Sequence, residues 1–310
     1  MKEKIAYLNN VMKRCTLCPR RCSVDRTTGE KGFCGLDDDI VVKSILPHHG
    51  EEPPLSGIHG AGTIFFSSCN LRCIHCQNYQ ISHRTSGKRT GSEGLARMML
   101  SLQEQRCHNI EPVTPTPQLP GIMEAWLIAR QNGLKLPLVY NCGGYENPDM
   151  IKILEGVVDI YLPDFKYGNE RDSFQLSAVK DYHGVAVESI REMVRQVGDT
   201  LEEDGGIASR GLIIRHLILP GKISNSIEVL KLIKMHISTS VPLSLMSQYT
   251  PVPPVKDDYF LGRRITHEEY ERVVNTALDM GFETIFTQDV DERTLSPDFE
   301  KDIPFNWSQI

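Results

Sequence analysis

The sequence lacks both the long apolar run of a membrane-spanning helix and a surplus of basic residues. No stretch approaches the ~18 uninterrupted apolar residues of a bilayer span, and the first residues show no apolar centre of a secretion signal. The 34 Lys and Arg residues stand against 40 Asp and Glu, for a net charge of −6. Because nucleic acids and anionic membranes are usually met by a basic surface, these features argue against both partners and predict a cytoplasmic protein.

Repeats, low-complexity tracts and long like-charge runs are also missing, which argues against a solenoid or an interaction tail. With 310 residues, of which 40% are hydrophobic and 24% charged, the chain has the composition of an ordinary folded protein. Its distinctive residue is cysteine, with nine in all, seven of them before residue 77. In a chain of this length without a secretion signal, clustered cysteines favour metal binding or redox chemistry over disulfides.

Short apolar runs alternate with helical periodicity from Gly62 onward, which predicts βαβ units and a parallel sheet. The predicted strands are Thr63 to Ser67, Asn109 to Thr114, Leu136 to Asn141, Val157 to Leu162, Leu212 to Leu219, Val241 to Met246 and Glu283 to Thr287. So many units favour an α/β fold in which the sheet closes partly, a (β/α)6 TIM-type barrel. We expect a cysteine-rich module at 1–60, the barrel at 61–290 and a C-terminal tail at 291–310.

Several helix ends are recognisable in the sequence. Thr266 and Glu269 form a capping box, and Gly281 is a natural left-handed stop for the helix that they begin. Pro148 opens a short helix that Gly156 closes. Helical faces are also formed by Ile5, Leu8 and Met12, and by Leu95, Met98, Met99 and Leu102.

The carboxyl ends of barrel strands are where chemistry is expected. The residues just after the predicted strands are Cys69, Pro115, Cys142, Asp164, Pro220 and Gln248.

Cys69 begins the most specific motif of the chain, because Cys73 and Cys76 follow at CxxxCxxC spacing. Three thiolates on one loop can hold three irons of a cubane and leave the fourth iron without a protein ligand. The alternative is a structural zinc site, but such sites usually have four protein ligands in two separated pairs, and only His75 lies within this loop.

Together with its flanking segments, this loop resembles a known family. The CxxxCxxC loop after the first strand of a β/α repeat is similar to that of the radical S-adenosylmethionine (SAM) superfamily, and the trailing Gln77 and Asn78 resemble pyruvate formate-lyase activating enzymes and their uncharacterised homologues. Four further segments carry the same resemblance: Glu51 to Pro54, Gly62 to Phe66, Val113 to Thr116 and Asn141 to Tyr145. The resemblance covers nearly the whole chain, from about Cys15 to the last predicted strand.

The resemblance implies an iron–sulfur enzyme with a [4Fe–4S] cluster on Cys69, Cys73 and Cys76. S-adenosylmethionine would chelate the fourth iron, and reductive cleavage would give methionine and a 5′-deoxyadenosyl radical that abstracts hydrogen. In activating enzymes this hydrogen comes from a glycine of a partner protein, and the electron comes from a donor such as flavodoxin or ferredoxin. The resemblance thus implies an oxidoreductase that has a protein substrate and an electron donor as partners. It implies no catalytic side chain in addition to the cofactors.

The expected cofactor-binding residues lie at the strand ends. Asp164 and Lys166 resemble the Asp-x-Lys motif of activating enzymes, and a cationic side chain in a dry site suits the cofactor carboxylate. Where the family usually has Gly-Gly-Glu to bind the methionine amino group, this chain has Thr114, Pro115 and Thr116, which departs from the pattern. The full set of expected contacts is Asn78, Thr114, Asn141, Asp164, Lys166, Arg215 and Gln248.

Arg215 lies within an otherwise apolar predicted strand. Because a buried guanidinium needs a partner, we expect it to meet the cofactor or a carboxylate. His216 points to the opposite face by strand alternation, and we interpret it as structural. Glu51 and Glu52 follow His48 and His49 before the first barrel strand; these residues are either solvated loop residues or part of a substrate or lid site.

The N-terminal cysteines form a second candidate metal site. Cys15, Cys18, Cys22 and Cys34 supply four thiolates, which satisfy either tetrahedral zinc or a second [4Fe–4S] cluster. The short segment favours a structural staple, and an electron relay is the alternative. Cys107 is interpreted as a small buried apolar residue.

Two other functions compete with the leading hypothesis. The same radical chemistry could act on a small molecule or RNA, although the net charge argues against nucleic acid. A non-catalytic scaffold with two zinc sites would be colourless, whereas an iron–sulfur enzyme purified without oxygen should be brown.

Overall fold

The structure is a computed structural model that describes residues 1–290 and 296–305. The strands in these residues are β1 (Ile40–His48), β2 (Ala61–Phe66), β3 (Lys88–Thr90), β4 (Ile110–Val113), β5 (Val139–Cys142), β6 (Ile160–Pro163), β7 (Leu201–Asp204), β8 (Ile207–Leu212), β9 (Ile214–Leu217), β10 (Leu243–Met246) and β11 (Ile285–Phe286). The helices are α1 (Lys2–Met12), α2 (Pro53–Ser56), α3 (Tyr79–Ser82), α4 (Ser92–Glu104), α5 (Leu119–Gln131), α6 (Pro148–Ile153), α7 (Glu170–Ser177), α8 (Tyr182–Val197), α9 (Ile223–His236) and α10 (His267–Asp279).

A run of parallel strands forms the centre of the molecule. Strands β2, β4, β5, β6 and β8 are parallel neighbours, and β9, β10 and β11 form a second parallel group. A bridge between Asp164 and Arg215 connects the end of β6 to β9, so the two groups continue one another. Side chains from both β2 and β10 line the same cavity, which means that the sheet curves around it. The α/β class and the partial barrel are therefore confirmed, and every predicted strand overlaps an observed one.

The central strands are buried on both faces, as is typical of parallel strands between layers of helices. All four residues of β5, β6 and β10 are buried. The capping box of Thr266 and Glu269 begins α10, and Gly281 follows its end at φ 86°, both as predicted. Helix α6 begins at Pro148, but it ends at Ile153, before the predicted closing residue Gly156.

Two antiparallel additions were not predicted. Strand β1 pairs with β2 from His48–Ala61 to Val42–Phe66, and it also pairs with β3. Strand β7 pairs with β8 as a hairpin at the opposite edge. The expected division at residues 60 and 290 stays a prediction, and residues 291–295 and 306–310 of the expected tail lie outside the described residues. Within the described chain, helices both long and apolar enough to cross a bilayer are absent.

Candidate functional site

A large cavity opens at the carboxyl ends of the parallel strands. Its walls come from the loop after β2, from the ends of the next strands and from the end of β1. All of the residues expected to bind the cluster or the cofactor line it: Cys69, Cys73, Cys76, Asn78, Thr114, Asn141, Asp164, Lys166, Arg215 and Gln248. The fold therefore brings these side chains together, and their individual roles stay predictions.

The cysteine loop after β2 presents three sulfurs, each with a hydrogen-bond donor. The Cys69 Sγ accepts from the Leu71 amide at 3.3 Å. Serine hydroxyls donate to the other two, Ser177 to the Cys73 Sγ at 2.9 Å and Ser82 to the Cys76 Sγ at 3.3 Å. Hydrogen bonds to ligating sulfurs tune a metal centre and orient its ligands. The loop reaches this geometry through positive φ angles at Ser68 and Arg72, 77° and 55°.

Burial sets the protonation of two of these thiols. It raises the pKa of Cys69 to about 12, and the neighbouring Cys73 acts in the same direction. Burial also raises the pKa of Cys76, while Lys166 opposes the shift. The Cys69 and Cys76 thiols of the free chain are therefore protonated at neutral pH, and a bound metal centre must displace these protons.

The number of thiols in the loop indicates which centre fits. Cys69, Cys73 and Cys76 all line the cavity. Three thiolates are the protein ligands of a [4Fe–4S] cluster whose fourth iron stays open to the cavity, whereas a structural zinc ion usually takes four protein ligands. The donor set of the loop therefore fits such a cluster.

His75 lies inside the cysteine loop and also lines the cavity. Its side chain is buried, and its Nδ1 has no hydrogen-bond partner among the described residues. Burial, with a smaller effect from Lys166, lowers its pKa to about 3. The imidazole is therefore neutral at physiological pH.

Asp164 and Lys166 form an ion pair at the cavity wall. Burial alone would lower the pKa of Lys166, but Asp164 and Cys73 hold it above its ordinary value, so the ammonium stays charged. The loops after β5 and β6 are closely packed here. A Cβ at Gly144 would lie 2.1 Å from the Asp164 carbonyl oxygen, so the close approach requires glycine. The Tyr182 hydroxyl accepts from the Lys166 amide at 2.8 Å and fixes this backbone.

Arg215 meets carboxylates of the protein itself. Its Nε and Nη2 donate to the two carboxylate oxygens of Glu52, both at 2.8 Å, and Nη2 also donates to Glu51. Although burial opposes ionisation, Arg215 and then His48 hold the pKa of Glu51 well below its usual range. The expected carboxylate partner of Arg215 is thus found in the segment before the barrel. The ion pair compensates the buried charges of both glutamates in place of water. A direct contact of Arg215 with the cofactor stays a prediction.

Sequence analysis missed two buried acids near the cavity. Glu111 on β4 accepts a hydrogen bond from the Asn141 amide at 2.6 Å, and burial followed by Glu51 raises its pKa well above the usual range. Glu146 accepts from Thr116, and burial raises its pKa to about 7. A charged residue inside an apolar strand is the signal that identified Arg215, and the same signal could have identified Glu111.

Three further residues singled out in the sequence have well-defined surroundings. His216 is buried on the other face, with Nδ1 2.7 Å from the Phe165 carbonyl oxygen and Nε2 2.8 Å from the Ser226 hydroxyl, which confirms the structural interpretation. Cys107 is 2% exposed, also as expected. Thr114, at the end of the second barrel strand, has a φ of 56°, an uncommon conformation for a β-branched residue.

Two aromatic residues of the C-terminal segment lie beside the cavity. Phe299 packs on Phe65 with ring centroids 5.2 Å apart, and its amide donates to the Gln80 Oε1 at 2.7 Å. Phe305 lines the cavity and also contacts Phe65. The segment therefore forms part of the cavity wall near β2, which the sequence did not predict.

Comparison with known proteins gives relatives without an established function. No protein-family model matches this chain. It is 31% identical over 292 residues to uncharacterized protein MJ0674 of Methanocaldococcus jannaschii, which covers 91% of this chain and 80% of the relative. It is also 27% identical over 172 residues to uncharacterized protein MJ0808 of the same organism, half of each chain.

Solved structures with a similar arrangement are more distant. Streptococcus suis SuiB bound to S-adenosylmethionine matches 72% of this chain and 48% of its own, with a TM-score of 0.49 and 12% identity. Native anSMEcpe with bound AdoMet matches 71% of this chain and 61% of its own, with a TM-score of 0.46 and 13% identity. The chain thus spans less than two thirds of either protein.

Proposed function

This chain belongs to the same family as uncharacterized protein MJ0674 of Methanocaldococcus jannaschii, and we propose that it is a radical S-adenosylmethionine enzyme. The observation that carries the proposal is the position of Cys69, Cys73 and Cys76. They form a single loop after the first parallel strand, and all three line the cavity at the carboxyl ends of the strands. In a barrel of parallel strands this end is where catalysis takes place.

The three cysteines would hold a [4Fe–4S] cluster with one iron left open to the cavity. With S-adenosylmethionine bound, the centre supplies one-electron reductive cleavage to methionine and a 5′-deoxyadenosyl radical. The protein binds, orients and shields these groups. Ser82 and Ser177 orient the sulfurs of Cys76 and Cys73 through their hydroxyl groups.

Charged and polar side chains around the cavity suit a zwitterionic amino-acid moiety. Lys166 is the cation placed to meet a carboxylate, and Asp164 can accept from an ammonium group. Asn78, Thr114, Asn141 and Gln248 add polar contacts along the same wall. Glu51 and Glu52 hold Arg215 at this wall by accepting hydrogen bonds from its Nε and Nη2, and a direct contact of Arg215 with the cofactor belongs to the same proposal.

The substrate that we propose is a glycine in a partner protein, whose hydrogen the enzyme would abstract. The motifs shared with glycyl-radical activating enzymes support this choice, and the cysteine loop lines a cavity that could receive such a segment. The net charge of −6 disfavours RNA as the alternative substrate. A cytoplasmic location and an electron donor such as flavodoxin or ferredoxin belong to the same proposal.

The test is anaerobic reconstitution with iron and sulfide, followed by dithionite and S-adenosylmethionine. We expect a brown protein that forms 5′-deoxyadenosine and methionine, with Cys69→Ala as the inactive control. Full iron loading without 5′-deoxyadenosine would exclude the proposed reaction. Candidate partner proteins are then added, and a glycyl-radical signal in electron paramagnetic resonance would identify the substrate. If no such signal forms and the enzyme instead converts a small molecule, the glycine proposal is excluded.

A further inference from the structure

Two arginines beside the N-terminal cysteines have no acidic partner among the described residues. Arg26 is 1% exposed, yet its guanidinium donates only to main-chain carbonyls, to Pro117 at 2.7 Å and to Asp37 at 3.0 Å. Arg20, which is half-buried, donates to the carbonyls of Asn70, Ser177 and Ala178 at 3.0 to 3.1 Å. A buried cation is costly unless an anion pairs with it. Arg20 also lies over the Phe33 ring, 3.7 Å from its centroid, so carbonyls and a ring face stabilise these charges, and negative charge nearby would stabilise them further.

The four N-terminal cysteines are placed to supply that charge. Cys15, Cys18, Cys22 and Cys34 line one small cavity, and Arg20 and Arg26 line it as well. Metal binding converts these thiols to thiolates. Four thiolates outweigh the positive charge of a [4Fe–4S] core or of a zinc ion, so either centre would place net negative charge beside both arginines.

Local backbone geometry keeps this cavity open around the sulfurs. A Cβ at Gly32 would lie 2.8 Å from the Cys22 Sγ, so only glycine leaves that sulfur room. The Phe33 amide donates to the same sulfur at 3.3 Å, and such a hydrogen bond would orient the sulfur as a thiolate ligand. All four sulfurs border the same cavity, and four thiolates satisfy a [4Fe–4S] cluster or tetrahedral zinc, so metal analysis distinguishes the two centres.

The N-terminal site is in direct contact with the cysteine loop of the large cavity. The Cys34 carbonyl oxygen accepts from the Ser68 hydroxyl and from Arg72 Nη2, the latter at 3.0 Å. Ser68 precedes Cys69, and Arg72 precedes Cys73. A path of covalent bonds with one hydrogen bond thus leads from the Cys34 sulfur to the Cys69 sulfur. Because electron tunnelling weakens steeply with distance, such contact favours electron transfer between two centres.

We propose that Cys15, Cys18, Cys22 and Cys34 hold a redox-active [4Fe–4S] cluster that delivers electrons to the cluster on Cys69, Cys73 and Cys76. Its electron-delivery role rests on the proposed function, whereas the identity of the metal does not. In each transfer the N-terminal cluster is oxidised by one electron and the cavity cluster is reduced by one. An external one-electron donor of the flavodoxin or ferredoxin class then restores the N-terminal cluster.

Metal analysis tests the site on the complete protein. Anaerobic reconstitution should give about eight iron and eight sulfide ions per chain, and about four of each in the Cys69→Ala, Cys73→Ala, Cys76→Ala triple variant. The reduced triple variant should show the electron paramagnetic resonance signal of a [4Fe–4S] cluster. One zinc ion, or one iron without sulfide, at the N-terminal cysteines would overturn the proposal, and the count on the parent protein decides this even if the triple variant does not fold.

Reduction kinetics test the direction of electron flow. In Cys18→Ala with its cavity cluster intact, reduction by flavodoxin should be lost while reduction by the small reductant dithionite is retained. Cys107→Ala, which removes a buried thiol outside both sites, should keep both reactions. Unchanged reduction by flavodoxin in Cys18→Ala would overturn the relay. Absence of 5′-deoxyadenosine from the parent would instead count against the proposed function, and it would leave the iron count of the N-terminal site as an independent result.

Discussion

Arg215 on β9 and Glu52 ahead of α2 form a two-point ion pair, with Nε–Oε1 and Nη2–Oε2 distances of 2.8 Å. The residues are 163 positions apart, and their side chains are only 11% and 5% exposed. The pair therefore connects the segment before the barrel to β9, the strand that bridges Asp164 at the end of β6. This contact explains how a guanidinium is tolerated within an apolar strand.

Replacing Arg215 by Ala should destabilise the fold strongly. Removing one partner of a buried ion pair typically costs about 3 to 5 kcal/mol, because the remaining charges lose their compensation. Here Glu51 and Glu52 would both be left buried. The measurement is the free energy of unfolding in urea. Lys152→Ala is the control, since the ion pair of Lys152 with Asp149 is exposed on both sides and should contribute little. Equal effects of the two changes would contradict this account of the cluster.

Lys166→Ala should weaken S-adenosylmethionine binding without releasing iron. Lys166 lies at the cavity wall with a charged ammonium, and loss of a buried charge partner costs about 2 to 5 kcal/mol, well over tenfold in affinity. The measurement is the dissociation constant on anaerobic protein whose iron content matches the parent. Lys152→Ala is the control, because its ion pair with Asp149 is exposed. An affinity within about threefold of the parent would mean that Lys166 is structural.

The barrel could be predicted from the sequence because its signals are local. Each parallel strand is a short apolar run, and the capping box at Thr266 and the stop at Gly281 mark helix ends directly. The cysteine loop is equally local, since all three thiols fall within eight residues. The positions of Asp164 and Lys166 at the cavity followed from the same strand assignment.

Long-range partners could not be predicted in this way. Strand β1 has its charged Lys43 and its bulge between Val42 and Ser44, so it shows no clean alternation, and its pairing with β2 depends on the whole sheet. Arg215 signalled that it needed an anion, but no sequence rule identified Glu51 and Glu52 among the many acids. The contact of Cys34 with the cysteine loop is likewise a property of packing.

A single replacement in the cysteine loop should abolish the chemistry and spare the N-terminal site. In Cys73→Ala, one corner of the cavity cluster loses its ligand. We expect no 5′-deoxyadenosine, whereas metal at Cys15, Cys18, Cys22 and Cys34 should remain. Iron, sulfide and zinc analysis of the reconstituted variant provides the check. If each single variant of the loop loses metal from both sites, the assignment of the seven cysteines to two separate sites is wrong.

Cys18→Ala should lower thermal stability more than it changes the cavity cluster of molecules that remain folded. Burial raises the pKa of the Cys18 thiol to about 12, so its proton is displaced only by a strongly bound metal, and that binding energy also stabilises the fold. The expected result is a lower melting temperature with dithionite-driven 5′-deoxyadenosine formation retained. If the variant melts at the same temperature as the parent protein, the N-terminal metal contributes nothing to stability.

Glu146 should make the protein less stable as the pH rises from about 4.5 to about 7. Burial raises its pKa from 4.5 to about 7, although Thr116 and Tyr140 stabilise its charged form. The carboxyl is therefore still protonated in the folded state where it already ionises in the unfolded state, and its favourable contribution is present below about pH 4.5 and lost through pH 7. A shift of this size corresponds to about 3 kcal/mol. Glu146→Gln cannot ionise at this position and should remove that part of the pH dependence. The measurement is the free energy of unfolding in urea between pH 4 and 8. The control Lys152→Ala should show the same slope of unfolding free energy against pH as the parent protein. An unchanged slope in Glu146→Gln would mean that another group, such as the buried Glu111, controls the pH dependence.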